Sequence, residues 1–152
     1  MKQDHPRAPG WLTGLRRYLL ALLAGHLAWE ILHLPLYTLW RTGTLGEKTW
    51  AVLHCTGGDL LIGTTSLVGA LVAAGHPAWP RTHFRAVATL AIGLGLGYTV
   101  LSEWLNTGPR QSWSYSELMP VLPGLGTGLS PLVQWLVVPA GAFWWSKRGT
   151  PP

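Results

Sequence analysis

Ionisable side chains inside apolar runs are the feature of this sequence best suited to chemistry. His26, Glu30 and His33, in GHLAWEILHLPLYTLW from Gly25 to Trp40, are the densest case. On a helix at about 100° per residue, His26 and Glu30 lie about 40° apart and His26 and His33 about 20°, so the three share a face, which Tyr37 extends. Later runs carry His54 and Asp59, then Tyr98, Thr99, Glu103 and Asn106, then Gln134. Three chemistries could use this set. His26, Glu30 and His33, completed by His54, Asp59 or Glu103, have the ligand types for Zn, Cu or Fe, and Cys55 beside His54 favours a softer metal. Alternatively, acids sharing a dry site cannot all ionise cheaply, and one that keeps its proton is a donor beside a base. That suits acid-base catalysis by Glu30, Asp59, His26 and Glu103, with no cofactor required. Third, the polar layer could pack against a partner or pass an ion in an accessory subunit or small transporter.

The elements that must position these residues are long and apolar. With 152 residues the chain has room for one domain, and 48% hydrophobic against 11% charged residues is far from the soluble average of about 25% charged. A hydrocarbon core of about 30 Å needs about 20 apolar residues, so the runs at about 17–40, 49–75, 84–107 and 129–145 read as four membrane spans. The expected fold is all-α, a polytopic four-transmembrane-helix bundle over 17–146, between a basic N-terminal segment (1–16) and a short tail (147–152). That segment, ending in Arg16 and Arg17, has the look of a signal-peptide n-region, but the run after it is too long for an h-region and reads as a retained anchor. Ser130 and Pro131 read as N-cap and first residue of the last helix, which Pro139 should kink.

Lys and Arg set the orientation. Eight lie at the N-terminus, the second connection and the C-terminus, against Arg41, Lys48 and Arg110 on the other side, so both termini are expected in the cytoplasm, across the inner membrane if the source is bacterial. Glu30, His33, His54, Asp59, Tyr98, Glu103, Asn106 and Gln134 then fall at one depth, in the outer half, which implies one polar cavity. On the second helix His54 and Asp59 are about 140° apart, so both reach that cavity only if Gly57 and Gly58 loosen the helix or the pair flanks the rim. Trp29, Trp104 and Trp135 sit inside spans and are candidate cavity walls, with Tyr98, Gln134 and Asn106 as further ligand contacts. Trp11, Trp40, Trp50, Trp79, Trp144 and Trp145 sit at span ends and read as interfacial anchors. The segment from about Tyr115 to Thr127, rich in Pro and Gly, reads as interfacial or re-entrant, and Trp113 and Tyr115 could lie over the outer mouth. His5, His76 and His83 read as solvated. The basic residues form no patch with interleaved aromatics, which argues against nucleic acid. The single Cys55 excludes an internal disulfide.

HLAWE in the first span, Asp59 in the second and Trp135 in QWLVVP resemble the EXPERA group, the emopamil-binding-protein and sterol isomerase family of small helical membrane proteins. On the turn before Trp135, where that family has an asparagine, Leu132 stands here, with Gln134 nearby. The resemblance implies an aromatic-lined cavity open to lipid, with Glu30 and Asp59 moving a proton across an isolated double bond and His26 orienting Glu30. The expected partners are the lipid bilayer and a lipophilic small molecule, with a homo-oligomer or a membrane-complex partner left open.

Overall fold

The computed structural model describes residues 10–148; the N-terminal stretch 1–9, with His5, and the last four residues lie outside the described part. Among the described residues the architecture is all-α, with four long helices, α1 (Gly10–His33), α3 (Leu45–Ala74), α4 (Phe84–Thr107) and α5 (Leu129–Lys147). A short helix, α2 (Leu39–Thr42), follows α1 after a single 3-10 turn at Leu34–Leu36. Three stretches are long and apolar enough to cross a membrane: Gly10–Leu36, Leu45–Ala74 and Phe84–Thr107. Large apolar side chains such as Leu32, Leu61 and Val72 cover the outside of these helices, as a lipid-facing surface requires.

Helix α1 runs seven residues before the expected start and stops seven before the expected end. Arg16 and Arg17 therefore lie within the helix and not ahead of it, and their long basic side chains can carry their charge to the interface. Its end is set by Pro35, which has no N–H for the helix ladder and disfavours helical backbone at Leu34. Tyr37 is therefore not on the α1 face, although its ring still packs edge-on against His33, 5.2 Å between centroids. Helix α3 starts with a reciprocal cap: Thr44 Oγ1 accepts from the Glu47 amide at 3.3 Å, while the Glu47 carboxylate accepts from the Thr44 amide at 2.7 Å. Helix α5 begins at Leu129, with Gly128 as N-cap; Ser130, expected to cap it, is spent elsewhere.

The long helices form a ring in which α1 packs on α3 and α5, and α4 packs on the same two, so α1 faces α4 and α3 faces α5 across the centre. Their buried stripes recur mainly at every fourth residue: Gly14, Tyr18, Leu22, His26 and Glu30 on α1, and Val87, Ala91, Gly95, Thr99 and Glu103 on α4. Small residues in these stripes let the helices close up. A side chain at Gly95 would collide with the ring of Trp135, and one at Gly25 would collide with Val138. At the end of the bundle holding the α3–α4 connection, the core is apolar: Tyr18, Leu22, Leu67, Ala70, Val87, Ala91, Ala142 and Phe143. Trp79, expected at the interface, belongs to that core and is only 6% exposed. Its connection folds back over the bundle end, with Pro80 against Gly14. His76 and His83 in that connection are exposed and bonded to local groups, Thr82 Oγ1 and the Ala74 carbonyl, both at 3.0 Å.

Candidate functional site

The polar residues collect at the opposite end, where α1 and α4 finish and α3 and α5 are in their first halves. Gln134 on α5 is the junction. Its amide nitrogen lies 3.0 Å from Glu30 Oε1, 3.0 Å from Asp59 Oδ2 and 2.9 Å from His26 Nδ1. His26 Nδ1 is itself 3.0 Å from Asp59 Oδ2. An amide has two hydrogens for these three neighbours, and one proton arrangement satisfies all the contacts. In it Gln134 donates to both carboxylates and His26 donates from Nδ1 to Asp59, which leaves Nε2 of His26 as the buried ring atom without a partner. A buried acceptor without a partner is better tolerated than a buried N–H. His26 is fully buried and tilts against Trp135, with ring centroids 5.1 Å apart.

Glu30 has an imidazole of its own. His33 Nε2 is 3.1 Å from Glu30 Oε2, and His33 Nδ1 is 3.1 Å from Ser130 Oγ. The indole N–H of Trp29 donates to the same Ser130 oxygen at 3.1 Å. A directed chain satisfies every member: Trp29 to Ser130, Ser130 to His33 Nδ1, His33 Nε2–H to Glu30. Two carboxylates, each with a histidine, are thus joined by one amide. Ser130 was visible in the sequence only as a capping residue; its role depends on the rotation of α5 against α1, which sequence spacing does not carry.

Glu30, His33, Asp59 and Gln134 border a cavity of about 530 Å³, whereas His26, Trp29 and Ser130 stand behind that wall and do not line it. Glu30, His33, Asp59, Glu103, Gln134, Asn106, Tyr98 and Trp135 all line it, with Cys55 and Gly58 from α3. The third acid, Glu103, accepts from the phenol of Tyr115, whose oxygen accepts in turn from the Gly128 amide at 2.9 Å. The connection between α4 and α5 reaches this point because it pairs with the chain after Pro35. Thr38 N donates to the Ser114 carbonyl at 3.0 Å and Ser116 N to the Leu36 carbonyl at 2.8 Å. Burial, and next the Glu103 carboxylate, push the Tyr115 phenol above its ordinary range.

Two expectations are corrected, and the choice between the two arrangements of His54 and Asp59 is settled. Trp29 and Trp104 do not line the cavity: each precedes or follows a cavity acid by one residue, about 100° round its helix, and Trp104 is exposed while Trp29 packs on the apolar core. His54 and Asp59 both line the cavity with α3 unbroken through Gly57 and Gly58, so the pair flanks it and the helix is not loosened; His54 is exposed at the rim, stacked on Trp50 with centroids 5.6 Å apart. The proposed metal set of His26, Glu30, His33 and His54 is consequently not assembled. His26 and His33 serve different carboxylates, and among the described residues no group of three or more His, Cys, Asp or Glu is placed to hold a metal ion. Compared with known proteins, the chain matches no family model, no curated protein and no solved structure.

Proposed function

We propose that this is a membrane protein that binds a lipophilic small molecule in the cavity and moves a proton on it, with Glu30 and Asp59 as the acid and base. The observation that carries the reading is the single Gln134 amide holding both carboxylates, each on its own histidine, at the wall of a cavity large enough for a small molecule. Fixed geometry between an acid and a base is what general acid-base catalysis needs. The reaction that uses both is a double-bond shift. One carboxylic acid gives its proton to a carbon of an isolated C=C, and the cationic carbon is held near the ring of Trp135. The other carboxylate takes a proton from the carbon next to it, the double bond moves by one position, and no oxidant or cofactor is consumed.

The apolar core below the cavity supports a binding site over a proton channel, since Leu22, Leu67, Val87 and Phe143 occupy the centre there. Within this proposal α5 is a fourth span, both termini are cytoplasmic, and the resemblance to the EXPERA group describes the chemistry. A reporter fused after Arg148 that scored outside the cytoplasm would overturn the orientation.

The chemical test begins with mass spectrometry of the lipids that co-purify, followed by conversion assays in membranes. Glu30→Gln and Asp59→Asn keep shape and hydrogen bonding while removing the titratable proton, and each should lower conversion by about 10²- to 10⁴-fold. Unchanged conversion in both would end the acid-base reading. Loss of membrane accumulation, with no co-purifying ligand, would make these residues structural.

A further inference from the structure

Among the residues lining the cavity, Gly58 has an unusual position. It directly precedes Asp59 on α3 and faces the same cavity as Cys55, three residues earlier, and Ile62, four residues later. A Cβ added at Gly58 would meet no atom within 4 Å beyond its chain neighbours and its own helix backbone. Packing against another helix therefore does not account for a glycine here, in contrast to Gly95 and Gly25, whose added atoms would strike Trp135 and Val138. Helix propensity opposes it as well, since glycine in a helix interior costs about 1 kcal/mol against alanine. What the missing side chain leaves open is cavity space against bare backbone, beside the Asp59 carboxylate.

We infer that Gly58 sets the width of the cavity beside Asp59, leaving room there for a ring or branch point that a larger residue at this position would exclude. This rests on the lipophile-binding reading and narrows it. An unbranched acyl chain needs no such room, whereas a ring or branched carbon next to the acid-base pair does.

Cys55, the single cysteine of the chain, is half-buried and lines the same wall, so it reports on this space without engineering. The probes are methyl methanethiosulfonate, which is small, and N-cyclohexylmaleimide, which carries a ring. Both are applied to the full-length protein in native membranes, and labelling is followed by mass spectrometry. In the parent protein both should label Cys55. Gly58→Leu should slow the maleimide by about tenfold, because the added side chain fills open space that the ring needs on its way to Cys55, while the small reagent is little affected. Gly58→Ala should fall between.

Gly57→Leu is the matched control. It makes the same change one residue earlier on an exposed position outside the cavity wall, where an added side chain also meets nothing. It should leave both labelling rates unchanged. Equal slowing by Gly57→Leu and Gly58→Leu, or none by either, overturns the inference. Equal slowing of both reagents by Gly58→Leu also overturns it, because the cavity has then collapsed rather than narrowed. These outcomes do not depend on Glu30 or Asp59 chemistry, so failure here and failure of the proton-transfer reading are separable.

Discussion

The two ends of the bundle are made from the same four helices and solve opposite problems. At one end α1 and α4 present Tyr18, Leu22, Val87 and Ala91, and the centre is filled by contact alone. At the other end the same buried stripes continue as His26 and Glu30 on α1 and Thr99 and Glu103 on α4, and the centre is held open. The filled end tolerates any apolar set of suitable volume, because dispersion and close packing have no direction. The open end cannot vary so freely. Each carboxylate there needs a donor at a fixed place, and Gln134 supplies two of them, to Glu30 on the neighbouring helix and to Asp59 across the ring. The comparison teaches that here rigidity around the cavity comes from hydrogen bonds, and that the apolar end anchors the helices that carry them.

Two substitutions should separate the ends. Leu22→Ala, at a fully buried position against α3, should lower stability by about 2–5 kcal/mol, read by thermal unfolding in detergent. Protein that remains folded should convert ligand at the parent rate. Gln134→Leu should cost a comparable amount, about 2–6 kcal/mol, because two buried carboxylates each lose a donor. Conversion should fall further than stability does, because Glu30 and Asp59 no longer share a fixed nitrogen. If Leu22→Ala impairs conversion by the folded fraction as much as Gln134→Leu, the two ends are not separate and the comparison fails.

The apolar runs made α3, α4 and α5 legible, to within a few residues for α3 and α5 and on both bounds for α4. Helix α1 was misplaced by its charges and by its apolar tail: Arg16 and Arg17 read as flanking residues, and LPLYTLW read as a continuation although Pro35 ends the ladder. For the site, the stripe of His26, Glu30 and His33 followed from helical period, and the shared depth of the acids followed from counting along the spans. The angular arithmetic that places His26 with Glu30 also places Trp29 and Trp104 away from the acids. Other features were not legible at all. That Ser130 would serve both Trp29 and His33, or that Tyr115 would meet Glu103, depends on how helices far apart in sequence are rotated and on a connection pairing with the chain after Pro35. No local pattern encodes either.

The smallest expected effect sharpens the comparison at the mouth of the open end, where Tyr115 bonds Glu103 and receives the Gly128 amide. Burial, followed by the Glu103 carboxylate, raises this phenol above the ordinary value of 10.0. Its folded value thus exceeds its unfolded one, so its contribution is fully present below about pH 10 and declines as pH rises beyond that. Tyr115→Phe removes the hydroxyl and should cost about 1 kcal/mol, the net worth of a typical hydrogen bond. Melting curves of the parent and Tyr115→Phe should therefore differ by a constant amount from pH 6 to about 10 and converge above it. A gap that widened with rising pH would mean that the phenolate, not the phenol, is the favoured form at the mouth. Tyr115 would then not be donating to Glu103, and the third acid would have to find its donor elsewhere in the cavity.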